Sequence, residues 1–279
     1  MRRTARAWGA SLAIALVTFA GACRALELEE VAIASPLAGK GPFTARLVRP
    51  PGPGPFPTVV ALHGCSGLRD AQGEVRKRDV DWAGRLLGAG YAVLMPDSFT
   101  ARGIRQLCTV RERSIFPKDR ADDVAAAVAW LAGQPYVDTA RIALIGWSHG
   151  GSTVLWAVRG GFMSDLPRPK TAVAFYPGCR GMLARPDWRP RLPLTILMGS
   201  ADDWTPPEPC RRLARRVGFR LVEYAGAYHG FDAPDVEVRV RRGLATAKGG
   251  EAHVGTDPVG RAAAIEEVLA ILARDLAGP

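Results

Sequence analysis

The sequence has few of the side chains that bind metal ions. Its 279 residues include only four histidines and five cysteines. No two cysteines stand in Cys-x-x-Cys spacing, so we expect no zinc site and no other metal. It also has no internal repeat and no low-complexity segment. With 48% hydrophobic and 23% charged residues, the composition is typical of one soluble α/β domain with a large core.

Long hydrophobic runs are also missing, apart from one near the N-terminus. This run covers residues 8–20 and is too short to span a bilayer comfortably. It follows a basic start with Arg2, Arg3 and Arg6, and it precedes Ala20-Gly21-Ala22. A basic, an apolar and a small-residue region in this order are typical of a secretory signal peptide. We therefore expect residues 1–22 to be a signal peptide and 23–279 to be one exported domain, the alternative being a retained N-terminal anchor.

The five cysteines fit an exported protein. Cys23 directly follows the small residues, which makes it a candidate for lipid attachment, although Ala20 stands where lipoprotein signals usually carry an aliphatic residue. We expect membrane contact only if Cys23 is lipidated, and otherwise a periplasmic or secreted protein. The other four cysteines are an even number, which favours disulfides, and three connectivities are open to them: Cys65, Cys108, Cys179 and Cys210.

The formal charge of +10 includes three arginines of the signal segment, which leaves +7 for the rest of the chain. Small arginine runs occur at residues 211–212, 215–216 and 239–242. No aromatic residues interleave with them and no nucleic-acid motif accompanies them, so we expect no nucleic-acid partner. We interpret the runs as solvated helix faces.

Strand and helix patterns alternate along the chain with short connections. Strands are predicted at residues 26–34, 43–49, 58–62, 91–95, 141–145, 171–176, 194–198 and 219–224, and helices at 79–88, 119–134, 149–158, 207–217 and 258–276. This order predicts an α/β fold with a mostly parallel sheet and helices on both faces. Functional groups in such sheets follow the carboxyl ends of strands. The irregular, polar segment 98–118 is a candidate for substrate contact.

One strand ends in the pattern Gly146-Trp147-Ser148-His149-Gly150. A strand, a sharp turn with one serine and then a helix make up a nucleophile elbow. The flanking glycines suit a turn too tight for side chains, and the helix behind it offers free N–H groups to a developing negative charge. The alternative is an ordinary turn with an idle serine.

A serine nucleophile needs a base and a group that orients the base. Four histidines are available, and His229 is the best candidate because it follows a predicted strand late in the chain, unlike His63, His149 and His253. The acid should lie between serine and histidine. Asp202 and Asp203 both follow the strand at 194–198, and position alone leaves both open.

Two backbone donors should stabilise the oxyanion of the reaction. One is expected after the nucleophile, at the N–H of His149, and the other in the loop after the early strand at 58–62. In that loop we select the N–H of Cys65, because Gly64 and Gly67 would let the backbone curl toward a substrate.

Several of these motifs together resemble the dienelactone hydrolase family of the α/β-hydrolase superfamily. The matching stretches run along nearly the whole mature chain: residues 62–67, 90–99, 146–151, 175–179, 198–206 and 228–231. The resemblance implies an α/β-hydrolase fold. In the family the acid stands three residues after the glycine that closes its strand, here Gly199, and this spacing selects Asp202.

The resemblance also bears on the cysteines and the substrate contacts. It implies the disulfides Cys179–Cys210 and Cys65–Cys108, the first being favoured because both its cysteines follow adjacent strand ends. Arg102 lies near the position of an arginine that binds the substrate carboxylate in the family, and we add two tryptophans beside the motifs, Trp147 and Trp204, as candidate contacts.

Three departures from the family pattern concern the substrate. Dienelactone hydrolases proper carry a cysteine nucleophile where this chain has Ser148, and a glutamate where it has Gly64. The arginine that follows the histidine in those enzymes is absent here, since Phe231-Asp232-Ala233 follows. These differences favour a serine esterase of unassigned specificity over an enzyme for dienelactone itself.

From the sequence we therefore expect a serine hydrolase that acts on a small carboxylic ester or a lactone through an acyl-enzyme, without a cofactor. Acyl transfer or peptide hydrolysis on the same fold is one alternative. A non-catalytic envelope binding protein is another. The oligomeric state is left open.

Overall fold

A computed structural model describes residues 26–35 and 41–278. Its main sheet has eight strands in the order β1-β2-β4-β3-β5-β6-β7-β8. Strands β1 and β2 pair antiparallel, as do β2 and β4, and the remaining pairs are parallel. The strands are β1 (Glu29–Ile33), β2 (Phe43–Val48), β3 (Phe56–Leu62), β4 (Ala92–Pro96), β5 (Val137–Trp147), β6 (Thr171–Phe175), β7 (Leu194–Gly199) and β8 (Arg220–Tyr224).

The central strands are covered on both faces. Every residue of β4, β6 and β7 is buried, which requires apolar cover above and below the sheet because successive side chains point to opposite faces. The helices are α1 (Lys77–Gly88), α2 (Pro117–Ala132), α3 (His149–Ala157), α4 (Arg180–Leu183), α5 (Glu208–Val217) and α6 (Pro258–Asp275). The predicted α/β-hydrolase fold is confirmed.

Local sequence explains where the long helices begin and what they bury. Helix α6 begins after Asp257, whose side chain accepts a hydrogen bond from the Gly260 N–H at 2.6 Å, and proline follows at the first position. Helix α1 buries Trp82, Ala83 and Leu86 on one face, which is the stripe expected of a helix packed on a sheet.

The structure also contains a hairpin that the sequence analysis missed. Strands β9 (Arg239–Arg242) and β10 (Glu251–Val254) pair antiparallel and form a small separate sheet. The interpretation of residues 239–242 as a helix face is therefore wrong. This short run is dominated by arginines and lacks the apolar alternation that marks a strand, and its conformation depends on contacts with distant loops.

Both disulfides expected from the family resemblance are present, Cys65–Cys108 and Cys179–Cys210. The proposed signal peptide and Cys23 lie outside the described residues. Within residues 26–35 and 41–278, no helix is both long enough and apolar enough to cross a membrane.

Candidate active site

Ser148 occupies a sharp turn between β5 and α3. Its φ is +53°, a value that side chains rarely adopt, and its N–H donates to the Phe175 carbonyl at 2.9 Å. A Cβ on Gly146 would lie 2.4 Å from the Gly150 carbonyl oxygen, and one on Gly150 would lie 2.0 Å from the Leu62 carbonyl oxygen. Both positions therefore require glycine, and the turn has the geometry expected of a nucleophile elbow.

His229 links the serine to an aspartate. Its Nε2 lies 3.0 Å from Ser148 Oγ, and its Nδ1 lies 2.8 Å from Asp202 Oδ2. An ionised carboxylate can only accept hydrogen bonds. Nδ1 therefore carries the proton and donates a hydrogen bond to Asp202. The lone pair on Nε2 then faces the serine hydroxyl. His229 and Asp202 are both buried.

The loop after β7 holds the Asp202 carboxylate in place. Oδ1 accepts from the N–H groups of Trp204 and Thr205, at 2.9 and 2.8 Å. The Thr205 hydroxyl donates to Asp202 Oδ2 at 3.0 Å and lies 3.1 Å from His229 Nδ1. Thr205 was missed in the sequence analysis, where a hydroxyl beside the aspartate motif was the only available signal.

The second aspartate of the pair serves a different histidine. Asp203 accepts hydrogen bonds from His253, at 2.9 Å from its backbone N–H and at 2.7 Å from its Nδ1. Both side chains are more than two-fifths exposed. The structure thus separates Asp202, which faces His229, from Asp203, which ties strand β10 to the loop after β7.

The other two histidines are buried behind the serine turn. His63 Nδ1 donates to the Gly64 carbonyl at 2.8 Å, and His149 Nδ1 accepts from Arg120 Nη1 at 3.0 Å. Burial, reinforced by the charge of Arg120, lowers the pKa of both imidazoles well below the usual 6.5. Burial also lowers the pKa of Arg120, to about 10. Both histidines are therefore neutral at pH 7.

The two residues whose backbone N–H groups are expected to face an oxyanion, Cys65 and His149, both line a cavity that opens at Ser148. His149 is the first residue of α3, where an N–H has no partner within the helix. Cys65 follows β3, and its residue lines both cavities that open at Ser148. The carbonyl of Cys65 accepts from the Leu107 N–H at 2.7 Å, and its side chain is bonded to Cys108, so this loop is held from two sides.

Ser148 lies at the junction of two cavities. The smaller measures about 250 Å³, is lined by His149 and Cys179 among others, and does not include His229. The larger measures about 360 Å³ and contains His229 together with four arginines. These arginines are Arg76, Arg78, Arg239 and Arg241.

The three candidate substrate contacts have different positions. Trp204 lines both cavities. Arg102 lines neither, because its guanidinium is bonded to Asp123 at 2.7 and 2.9 Å. Trp147 is fully buried, and its Nε1 donates to Asp232 at 2.7 Å. The structure therefore places Arg102 and Trp147 outside both cavities at Ser148.

A buried carboxylate supports the floor of the site. Asp232 accepts hydrogen bonds from Trp82 Nε1 and Trp147 Nε1, each at 2.7 Å, and from the Tyr176 hydroxyl at 2.5 Å. Burial and the charge of Asp232 raise the pKa of Tyr176 well above 10. The Tyr176 ring lies against the His229 ring, 4.4 Å between centroids, so this network fixes one side of the imidazole.

Among the described residues, no group of three or more histidine, cysteine, aspartate or glutamate side chains is placed to hold a metal ion.

Comparison with known proteins agrees with the fold and extends it. The model of the dienelactone hydrolase family matches residues 43–264. A putative carboxymethylenebutenolidase of Methylorubrum extorquens is 27% identical over 204 residues, which cover 64% of this chain and 65% of that relative. The chain thus spans less than two thirds of this relative's length.

Two solved structures have the same fold. A putative dienelactone hydrolase from Klebsiella pneumoniae subsp. pneumoniae aligns with a TM-score of 0.65 at 17% identity, covering 89% of this chain and 99% of that one. Esterase 2 of Thermogutta terrifontis, phosphorylated by paraoxon, aligns with a TM-score of 0.61 at 17% identity, covering 91% and 96%. The family match covers most of the chain, and the chain therefore belongs to the dienelactone hydrolase family of α/β-hydrolases.

Proposed function

We propose that the protein is a serine hydrolase of carboxylic esters, including lactones, that works through an acyl-enzyme. The observation that carries this proposal is the continuous chain of hydrogen bonds from Ser148 through His229 to Asp202, with links of 3.0 and 2.8 Å. The three residues follow β5, β8 and β7, at the edge where sites of parallel sheets lie.

The reaction begins when Ser148 Oγ attacks the ester carbonyl carbon. His229 Nε2 takes the hydroxyl proton as the new C–O bond forms, and Asp202 stabilises the resulting imidazolium. The N–H groups of Cys65 and His149 donate to the oxygen that becomes negative. Backbone donors held by a helix start and a crosslinked loop need little reorganisation, which favours the transition state.

The second half of the reaction releases the two products. His229 gives its proton to the leaving oxygen as the ester C–O bond breaks, which leaves the acyl group on Ser148. A water molecule then attacks this acyl-enzyme while His229 takes up one of its protons. The carboxylic acid departs, and the Ser148 hydroxyl is restored.

The direct test of this proposal is hydrolysis of a short p-nitrophenyl ester by the parent protein and by Ser148→Ala. Without the nucleophile we expect turnover to fall by roughly 10⁴-fold or more. Circular dichroism should show that the variant retains its fold. Unchanged turnover would contradict the assignment of Ser148 as the nucleophile.

Acyl transfer and peptide hydrolysis would use the same residues. Competition between water and added alcohols measures acyl transfer, and a peptide panel measures peptidase activity. We expect hydrolysis of esters to dominate both. A non-catalytic binding protein is the remaining alternative, and such a protein would leave Ser148 unreactive.

We further propose that the protein is exported, with residues 1–22 removed and 23–279 forming the mature domain. Two disulfides support this proposal, because such bonds persist in oxidising compartments. Mass spectrometry of the chain recovered from the producing cell's envelope tests it. An intact N-terminal segment on the recovered protein would contradict cleavage, and an added lipid mass on Cys23 would identify a lipoprotein.

A further inference from the structure

The larger cavity at Ser148 carries a marked excess of positive charge. Arg76, Arg239 and Arg241 line it together with Arg78. Its one carboxylate, Asp79, is buried and lies 3.2 Å from the Arg78 guanidinium, so this pair is neutral. The guanidiniums of Arg76, Arg239 and Arg241 have no carboxylate partner in this cavity.

Arg241 lies close enough to Arg76 and Arg239 to be repelled by both. Burial lowers the pKa of Arg76 below its usual value. The charges of Asp79 and Asp70 offset part of this shift, and the charge of Arg78 adds to it. Burial and then the charges of Arg76 and Arg239 lower the pKa of Arg241.

Arg76, Arg239 and Arg241 form no ion pair within the described part of the chain. Arg76 donates instead to the carbonyls of Ser66 and Gly67, at 2.9 to 3.2 Å. A cluster of this kind is stabilised by a bound anion, and a single negative charge would neutralise only part of it.

The hairpin β9–β10 carries Arg239 and Arg241 and fixes them relative to the reacting atoms. His253 of β10 is bonded to Asp203, and the Gly255 N–H donates to the His229 carbonyl at 3.3 Å. The guanidinium carbon of Arg241 lies 5.4 Å from the centre of the Trp204 ring. That ring in turn lies 4.6 Å from the His229 ring.

The position of His229 shows which half of an ester would meet these arginines. During acylation His229 Nε2 must protonate the leaving oxygen, so the leaving group lies on the His229 side of Ser148. The larger cavity contains His229, whereas the smaller cavity does not. The acyl group would therefore lie in the smaller cavity.

The smaller cavity is also basic, but less so. It is lined by Arg113 and Arg180. The guanidinium of Arg113, like that of Arg76, donates to backbone carbonyls, here those of Val110 and Leu107 at 3.3 and 3.0 Å. Arg180 is exposed, as Arg239 is, so among the described residues the smaller cavity has two guanidiniums without a carboxylate partner where the larger cavity has three. The contrast between the two cavities favours an anion on the leaving side.

We propose that the larger cavity binds the leaving half of the ester, and that this half is a hydroxy compound with two negative charges held by Arg76, Arg239 and Arg241. The proposal rests on the ester hydrolase function proposed above and names its substrate class. The ester C–O bond breaks, the acyl group passes to Ser148 and then to water, and the dianionic alcohol or phenol leaves with the proton from His229.

A series of three acetate esters tests the charge of the leaving group. Phenyl acetate, 3-acetoxybenzoate and 5-acetoxyisophthalate release phenols with no, one and two carboxylates. Each kcat/KM is divided by the rate constant of hydroxide-catalysed hydrolysis of the same ester, which removes the intrinsic effect of the carboxylates. We expect the normalised value to rise about tenfold per carboxylate, the equivalent of about 1.4 kcal/mol each, and to fall with added salt.

A matched ester with two carboxylates on the acyl side, the phenyl monoester of propane-1,2,3-tricarboxylic acid, tests the side. We expect no comparable rise for it. A flat series after normalisation, or an equal rise for the acyl-side dianion, would overturn the proposal.

Variants locate the binding residues. In Arg239→Gln/Arg241→Gln, we expect the preference for 5-acetoxyisophthalate over phenyl acetate to fall at least tenfold. Arg242→Gln is the matched control, because Arg242 lies in the same strand but does not line the larger cavity and is paired with Glu251. A preference retained by the double variant, or lost equally in the control, would contradict the assignment of the arginines.

Binding by the inactive protein separates this proposal from the hydrolase function. Calorimetric titration of Ser148→Ala with 5-hydroxyisophthalate needs no turnover. We expect 5-hydroxyisophthalate to bind, and 3-hydroxybenzoate to bind at least tenfold more weakly. The added changes Arg239→Gln and Arg241→Gln should weaken binding of 5-hydroxyisophthalate. Turnover of phenyl acetate without such binding would overturn the dianion site alone, whereas binding without any turnover would overturn the hydrolase function alone.

Discussion

Asp202 accepts hydrogen bonds from four donors, of which His229 is only one. The other three come from the turn that carries it, two from backbone N–H groups and one from the Thr205 hydroxyl. The carboxylate is therefore held in place before the imidazole reaches it. In the proposed mechanism, Asp202 therefore fixes the tautomer of His229 and does not move.

We expect Asp202→Asn to lower kcat by roughly 10⁴-fold. An amide N–H facing His229 Nδ1 would reverse the tautomer and place a proton on Nε2, so that His229 could no longer accept the serine proton. Steady-state kinetics on a p-nitrophenyl ester measures the loss. Asp203→Asn is the control, since Asp203 faces His253, and we expect a loss below tenfold. Equal losses in the two variants would contradict the assignment.

His63 gives a prediction for stability against pH. Its folded-state pKa is well below 6.5, because the side chain is buried and lies near Arg120. As the pH falls below about 6.5, the unfolded chain takes up a proton at this position and the folded chain does not. Stability is therefore lost toward acid, by up to about 1.4 kcal/mol per pH unit from this group.

His63→Asn removes that contribution while keeping an N–H that can donate to the Gly64 carbonyl. We expect the variant to be less stable than the parent at pH 7, and the difference in free energy of unfolding to shrink between pH 7 and pH 5. Urea unfolding at three pH values measures it. A difference that stays constant with pH would show that His63 binds protons alike in the folded and unfolded chains, which would contradict its lowered pKa.

At the scale of single residues, sequence reasoning was most specific where chemistry restricts the choice. A serine between two glycines and a histidine after a strand each belong to patterns with few alternatives. Asp202 and Asp203 could not be separated by position alone, because adjacent residues in a turn point in different directions. Thr205 could not be predicted, since its role depends on how the turn folds back to His229.

Among the elements, the loop that follows β3 is held by a crosslink as well as by hydrogen bonds. The disulfide from Cys65 joins it to the segment around Leu107, whose N–H also donates to the Cys65 carbonyl. The same residue supplies one of the proposed oxyanion donors. Anchoring this loop therefore bears on catalysis as well as on stability.

We expect Cys65→Ser/Cys108→Ser to lose about 4 kcal/mol of stability by the chain-entropy relation and to lose kcat as well, since the Cys65 N–H would no longer be held toward Ser148. The second disulfide provides a control. It closes a segment of similar length, 31 residues against 43, so Cys179→Ser/Cys210→Ser should lose similar stability.

The two double variants should differ in kinetics. Cys179 lines the smaller cavity. We therefore expect Cys179→Ser/Cys210→Ser to raise KM for esters with larger acyl groups and to leave kcat closer to that of the parent. Thermal unfolding and steady-state kinetics measure both effects. A larger fall of kcat without Cys179–Cys210 than without Cys65–Cys108 would contradict the role given to the β3 loop.

Elements with continuous apolar runs were predicted well, and the hairpin β9–β10 was not. Strands β4, β6 and β7 are buried along their whole length, and β3 and β5 are buried in their carboxyl-terminal halves. This burial shows in their apolar sequences. Strand β9 has the sequence Arg-Val-Arg-Arg, and its partner β10 is held by Asp203 and the His229 backbone. Such contacts between residues far apart in sequence leave no local pattern.

On the scale of the whole molecule, sheet order brings the site together. Strands β5, β6, β7 and β8 are consecutive neighbours, so the loops after β5, β7 and β8 meet at one edge although Ser148 and His229 are 81 residues apart in sequence. The alternation of strands and helices predicted the edge, and the family resemblance supplied the fold. The cavities could not be predicted, because their walls come from many separate loops.

The central claim is that Ser148 is an activated nucleophile, and a covalent adduct measures this most directly. The folded protein is treated with a fluorophosphonate probe, and the modified peptide is identified by mass spectrometry. We expect one adduct per chain on Ser148, much slower labelling in His229→Gln, and no labelling of denatured protein. An unlabelled folded protein, or an adduct on another residue, would contradict the account.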